Sequence, residues 1–326
     1  MRTKRFHFLT SLLFGAASLA AASAIAAEPN DWPQKPIKIV VGFAPGTPPD
    51  IFARLYGDYV SKKVGQPVIV DNRAGAAGNL ASDMVAKAPP DGYTVLYNLS
   101  TAFTINPYIY TKLPFDPAKD LVPVATTMRQ GLVLIAKNDL SAKTPKDLVV
   151  LAKAKPDTIS HASYGAGSPS HLIMEWFKDE TGTQMVHVPY KSTPLPDVAG
   201  GQIDTVMEPI ATAYQMITSG KVTAIAFSGP TRSPNLPNVP TLAESVPGLT
   251  MMSWHGIWAP AATPPAILTR LNTLFVEASK EPEVSRKIRE LQSEPLGLSR
   301  DEMAAMIARD AQIYSRIVKA KNIHVD

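Results

Sequence analysis

Between residues 37 and 97, short apolar runs alternate with amphipathic stretches at the strand–loop–helix spacing of βαβ units. That rhythm restricts the fold more than any other feature of the chain. Ile37-Lys38-Ile39-Val40-Val41 predicts a buried strand, followed by the loop Gly42 to Pro49 and a helix opening around Asp50. Along that helix Ile51, Leu55 and Tyr59 recur at i, i+4, with Phe52, Tyr56 and Val60 beside them. Val68-Ile69-Val70 predicts the next strand, Asn72 to Gly78 a glycine-rich loop, residues 79–88 a helix, and Tyr93 to Tyr97 a third strand. The second half repeats the pattern. Thr144 reads as an N-cap with Pro145 in the first turn. Ile159 to Ser163 then predicts a strand, Tyr164 to Pro169 a loop, and Leu172, Trp176 and Phe177 the apolar side of a helix. Val186 to Pro189, Ile203 to Met207, Val222 to Ser228 and Ser253 to Ala259 predict further strands. The C-terminus reads as helices over 264–279 and 282–291, then a last one opened by the capping box Ser299-Arg300-Asp301-Glu302. The expected class is α/β, with mostly parallel sheets flanked by helices.

Length makes two domains the first expectation, because 326 residues exceed the roughly 250–300 at which a single core stops growing. The absence of cysteine excludes disulfide staples, thiolate zinc sites, iron–sulfur clusters and cysteine nucleophiles. Arg2, Lys4 and Arg5, then the apolar run Phe8 to Ala22, then Ala24-Ile25-Ala26, have the three parts of a secretory signal peptide over residues 1–27. The formal charge of +4 owes three basic residues to that leader; its removal leaves 29 Lys and Arg against 28 Asp and Glu. A near-neutral surface without a block of like charges gives no footing for nucleic acid. With no cysteine for a lipid, the expected product is a free periplasmic protein.

Few residues carry the signature of an enzyme. Gly167-Ser168-Pro169 is not a nucleophile elbow, and Gly75-Ala76-Ala77-Gly78 falls short of a dinucleotide fingerprint. His161, His171, His187, His255 and His324 show no metal-ligand spacing, so no metal and no cofactor are expected. Ser168 and His171 are close enough in sequence to keep a secreted α/β hydrolase open as an alternative. Two junctions stand out instead: Gly42-Phe43-Ala44-Pro45-Gly46-Thr47-Pro48-Pro49-Asp50 and Tyr164-Gly165-Ala166-Gly167-Ser168-Pro169-Ser170-His171. Each puts small residues between the carboxyl end of a strand and a helix N-terminus, where free N–H groups and the helix dipole favour an anion. Asp50 reads either as a helix cap or as a ligand contact, and Glu208, at the end of an apolar strand before Pro209, either as a cleft residue or as a solvated turn. Asn98, Ser100 and Thr101, at the edge of the third strand, are further polar candidates.

Several segments together resemble a known family. They include Trp32 to Val41, Pro45-Gly46 to Asp50, Asp71-Asn72-Arg73-Ala74-Gly75-Ala76-Ala77-Gly78-Asn79, and Pro90-Asp91-Gly92-Tyr93-Thr94. Later come Ile105-Asn106-Pro107, Leu113-Pro114-Phe115-Asp116, Tyr164-Gly165, Gly167-Ser168, Val188-Pro189-Tyr190-Lys191 and Pro237-Asn238-Val239-Pro240-Thr241. In this order they resemble the solute-binding receptors of tripartite tricarboxylate transporters, the Bug receptors. The resemblance implies a type II periplasmic-binding-protein fold, with one lobe over residues 28–128 plus 252–326 and the other over 129–251. A small carboxylate would sit in the cleft between them, at Phe43, Ala44, Gly46, Thr47 and Asp50 on one side and Tyr164, Gly165, Ala166, Gly167, Ser168 and His171 on the other. Tyr190, Glu208 and His255 join the expected contacts. The family's usual second glycine after Pro45-Gly46 is replaced by Thr47, followed by Pro48-Pro49, which stiffens the loop and adds a hydroxyl. The implied partner is a set of membrane transporter subunits, served by a monomeric, non-enzymatic receptor. Its ligand would be an aromatic mono- or dicarboxylate such as terephthalate, or an aliphatic di- or tricarboxylate.

Overall fold

The computed structural model describes residues 32–325; the expected signal peptide lies outside the described residues. The first half runs β1 (Ile37–Val41), α1 (Pro48–Val64), β2 (Val68–Asn72), α2 (Asn79–Ala86), β3 (Thr94–Leu99), α3 (Thr101–Thr104) and α4 (Asn106–Ile109), ending in the long strand β4 (Leu121–Ala136). The second half follows with α5 (Pro145–Ala154), β5 (Ser160–Ser163), α6 (Pro169–Thr181), β6 (Val186–Pro189), α7 (Leu195–Ala199), β7 (Thr205–Pro209), α8 (Ile210–Thr218) and β8 (Thr223–Phe227). The chain then returns through β9 (Met252–Pro260), α9 (Pro265–Lys280), α10 (Pro282–Glu290), β10 (Glu294–Pro295) and α11 (Arg300–Ala320).

The strands form the order β2-β1-β3-β9-β4-β7-β5-β6, with β8 and β10 also paired to β4. Two parallel triplets, β2-β1-β3 and β6-β5-β7, make the bodies of two lobes. Where the chain crosses between them the pairing is antiparallel, so the sheets are more mixed than the sequence suggested. β4 belongs to both: Leu121 to Gly131 pair with β9, and Leu132 to Ala136 pair with β7. Its pairing partner changes at Gly131. Glycine is required there, because an added Cβ would lie 2.2 Å from the ring of Phe227.

α1 begins at Pro48, two positions earlier than expected. Thr47 is extended at the N-cap, and proline fits the first helical turn because its missing N–H has no intrahelical partner there anyway. Of the two apolar stripes on α1, the one turned inward carries Phe52, Ala53, Tyr56 and Val60, whereas Ile51 is exposed. Thr144 caps α5 as read from sequence, forming in addition a capping box with Asp147, and Ser299 caps α11 through the capping box read from sequence. Phe103, Trp254 and Trp258 fill the first lobe with Val40 and Leu96, and Phe103 stacks on Trp258 at 4.1 Å. α11 serves both halves: Met303 packs among those tryptophans, while Tyr314, Ile317 and Val318 pack with Leu172 and Phe177 of α6. Trp254 Nε1 donates to Asp310 Oδ2 (2.9 Å), fastening α11 to β9.

Candidate functional site

The first junction, residues 42–47, leaves β1 at the carboxyl edge of its triplet. Gly42 sits so near the glycine-rich loop Asn72 to Gly78 that a Cβ on it would be 2.8 Å from Gly78 Cα and 3.1 Å from Asn98 Oδ1. Asp50 is neither the N-cap nor an open acceptor. Its Oδ2 receives Gly46 N–H (2.9 Å) and Arg54 Nε (3.2 Å), and its Oδ1 receives Asn72 Nδ2 (2.9 Å) and an Arg54 guanidinium nitrogen (2.9 Å). Burial alone would raise this carboxyl, but the hydrogen bonds from Arg54, Gly46 and Asn72 outweigh it and hold the group below the ordinary aspartate range. Asn72 also donates to Phe43 O (2.9 Å), and Thr47 Oγ1 donates to Ala44 O (2.6 Å), so the threonine hydroxyl serves the loop itself.

The second junction leaves β5 at the matching edge of the other triplet. Ser168 caps α6, accepting His171 N–H (3.4 Å), while its own hydroxyl donates to Gly165 O (2.7 Å). His171 Nδ1 accepts from Gly167 N–H (3.1 Å), and its Nε2 lies 3.6 Å from Glu175. Ser168 and His171 side chains are therefore each committed to the loop backbone and share no hydrogen bond, unlike the nucleophile and base that a hydrolase needs. Gly165 N–H donates to Ser163 Oγ (3.1 Å), which also meets His187 Nε2 (2.6 Å); Tyr164 N–H donates to Ser170 Oγ (3.1 Å).

Under this loop the His171 ring stacks on His187 at 3.9 Å, and His187 on His161 at 5.0 Å. Burial lowers His161 to about 3 and His187 to about 4, so both are neutral near pH 7. Burial would raise Glu175, but His171 and Lys178 bring it down to about 2. Among the described residues no group of three or more His, Cys, Asp or Glu side chains is disposed to hold a metal ion.

The glycines singled out from sequence thus donate inward: Gly46 to Asp50, Gly165 to Ser163, Gly167 to His171. Ala44 and Asp50 at the first junction, and Ala166 and Ser170 at the second, are among the residues whose N–H groups have no protein acceptor. Free N–H groups of this kind, in and just before two helix N-termini, are donors of the sort an anion can use. Gly167 lies against Ile109 of α4, and Asn106 of α4 donates to Asn79 Oδ1 (2.8 Å), so α4 links the second junction to the turn before α2.

The remaining expected contacts are scattered. Asn98 is buried, donating to Gly78 O (3.1 Å) and Ser82 Oγ (3.0 Å). Ser100 N–H donates to Trp254 O, and Thr101 opens α3. Tyr190 Oη donates to Asp197 Oδ2 (2.6 Å) beside the second junction. His255 is sealed in the first lobe between Phe52 and Tyr97, its Nδ1 3.2 Å from Tyr97 Oη, and burial lowers it to about 3. Glu208 ends β7 and is fully buried, not a solvated turn. Tyr164 Oη and Thr212 Oγ1 both donate to its Oε1, each at 2.5 Å. Arg54, Asn72 and Asn106, which organise these loops, were not among the expected site residues; the Asn72-Arg73 segment following a strand was the available signal.

Residues 52–323 match the family model of the tripartite tricarboxylate transporter family receptor. A UPF0065 protein of Bordetella bronchiseptica is 35% identical over 97% of this chain and 94% of its own length. BugT of Bordetella pertussis is 31% identical over 95% of this chain and 97% of its own. Among solved structures, an R. palustris protein with adipate superposes with a TM-score of 0.78 at 32% identity, covering 90% of this chain and 99% of that one. MatC from Rhodopseudomonas palustris with bound malate gives 0.73 at 28% identity, covering 88% of this chain and 100% of that one. With the model matched over most of its length, the chain belongs to the tripartite tricarboxylate transporter receptor family.

Proposed function

We propose that the protein is a periplasmic receptor that captures a small organic carboxylate between a lobe of residues 28–128 plus 252–326 and a lobe of residues 129–251. It then delivers the ligand to the membrane subunits of a tripartite transporter. The observation that carries this reading is the pair of helix N-termini, one in each half, whose Ala44, Asp50, Ala166 and Ser170 N–H groups have no protein acceptor. Binding shifts an open–closed equilibrium by as much as the ligand's extra affinity for the closed form. The partner change of β4 at Gly131 supplies the joint for that motion.

The ring of Phe43 at one junction and the half-exposed ring of Tyr164 at the other suit an aromatic mono- or dicarboxylate such as terephthalate. An aliphatic di- or tricarboxylate is the second reading, favoured by the adipate and malate held by relatives of this fold. The protein acts as a monomer, exported by cleavage of residues 1–27. Thermal-shift screening of the mature protein against aromatic and aliphatic carboxylates tests the reading. At least one acid should raise Tm with a concentration dependence that follows its Kd. A broad panel that leaves Tm unmoved would contradict it.

A further inference from the structure

Four carboxylates are buried among the described residues: Asp50, Glu175, Glu208 and Asp310. Three have both oxygens engaged. Asp50 is held by Gly46, Arg54 and Asn72; Glu175 has Lys178 on one oxygen and Lys321 facing the other; Asp310 has Arg309 on one and Trp254 on the other. Glu208 departs from that pattern. Its Oε1 takes two hydroxyl donors, while its Oε2 is buried with no partner at all, and no cation pairs with it. Burial pushes this carboxyl above the ordinary glutamate range. A buried acceptor left without a partner is destabilising unless something fills it.

Its place in the fold says what fills it. β7 lies parallel to β5 with Val206 opposite Ala162, so Glu208 is level with Tyr164, the first residue of the second junction. Glu208 is therefore at the carboxyl edge of its sheet, where ligands of open α/β sheets bind. Tyr164, whose hydroxyl holds Oε1, is itself 38% exposed, which puts the carboxyl one side chain below the open edge. A bare second carboxylate beside Oε2 would add acceptor to acceptor.

We propose that Glu208 is a specificity-determining residue, and that the ligand carries a hydroxyl or ammonium donor, close to the carboxylate held at the second junction, that satisfies Oε2. The inference rests on the carboxylate-receptor reading. Tyr164 and Thr212 lock the other oxygen, so the acceptor is fixed before the ligand arrives. A site built this way discriminates against an analogue lacking the donor more strongly than against one of different apolar bulk, because the missing group leaves a buried polar atom unpaired.

Matched series test it by titration calorimetry: succinate against malate and aspartate, and terephthalate against 2-hydroxyterephthalate. In the series that binds, the donor-bearing acid should bind at least about tenfold more tightly than its bare parent. Glu208→Gln keeps size and one acceptor oxygen; it should shrink that preference to within about threefold. A parent that binds as tightly as its substituted form, or a preference that survives Glu208→Gln, would overturn the inference and leave the receptor reading standing. Should Glu208→Gln not fold, the comparison of parent and substituted acid on the unaltered protein decides. Failure of every carboxylate in both series to bind would overturn the receptor reading, and this inference with it.

Discussion

Asp50 shows what a single residue can conceal in a sequence. Read along the chain it is an acid at a helix start, and capping and ligand contact are both natural roles for it. The prolines at 48 and 49 move the helix start to Thr47, so Asp50 falls within the first turn and reaches back to Gly46. Its other partner, Asn72, arrives through packing from the end of β2, which no local pattern specifies. Asp50→Ala should therefore cost about 2–3 kcal/mol of stability and weaken carboxylate binding by tenfold or more, read by denaturant melts and calorimetry. Unchanged binding would mean that Asp50 does not hold the first loop in shape. The histidines make a second residue-scale prediction. Unfolded, an imidazole protonates near 6.5, but buried His161 and His255 do so only near 3. Their contribution is intact above the unfolded value and is lost as pH falls toward 3; at pH 4.5 the loss is roughly 2–3 kcal/mol for each. Thermal melts at pH 7 and 4.5 should show the loss. Neither ring nitrogen of His161 has a hydrogen-bond partner, so His161→Phe should keep the fold and show a smaller acid drop. An equal drop would contradict the assignment.

At the scale of elements, the strand–loop–helix rhythm was legible because buried parallel strands are short apolar runs and their helices carry capping chemistry. Both capping boxes that open α5 and α11 stand where Thr144 and Ser299 announce them. The inward face of α1 was not legible, since Ile51-Leu55-Tyr59 and Phe52-Tyr56-Val60 are equally apolar stripes. The choice falls to tertiary contacts: Tyr56 Oη donates to Thr127 O (2.5 Å) and meets Ser279 Oγ (2.8 Å). Nor does composition reveal that β4 serves two sheets, because its pairing partners are set by tertiary contacts and not by its own residues. The joint at Gly131 is testable. Gly131→Ala must displace the buried Phe227 ring, costing about 1–3 kcal/mol and disturbing the crossing of β4. Melts and ligand titration should show both effects; a variant with the stability and affinity of the original would mean the Phe227 contact is not part of the joint.

For the whole molecule, charge and length take on definite meaning. The expected mature chain is almost neutral, so the proposed attraction for an anion is local, at two helix N-termini instead of a basic surface. The sequence placed both junctions but not the free N–H groups within them, because which of these remain free depends on side chains folding back from Asp50, Ser163 and His171. α11 adds a strut from the tryptophans of the first lobe to α6, so motion about β4 works against its packing at one end. The most direct test of the central claim is an amide NMR titration of the mature protein with a carboxylate that raises its Tm. The N–H resonances of Ala44, Asp50, Ala166 and Ser170 should shift with a single shared midpoint equal to the calorimetric Kd. Saturable binding that leaves those four amides unmoved would contradict the account.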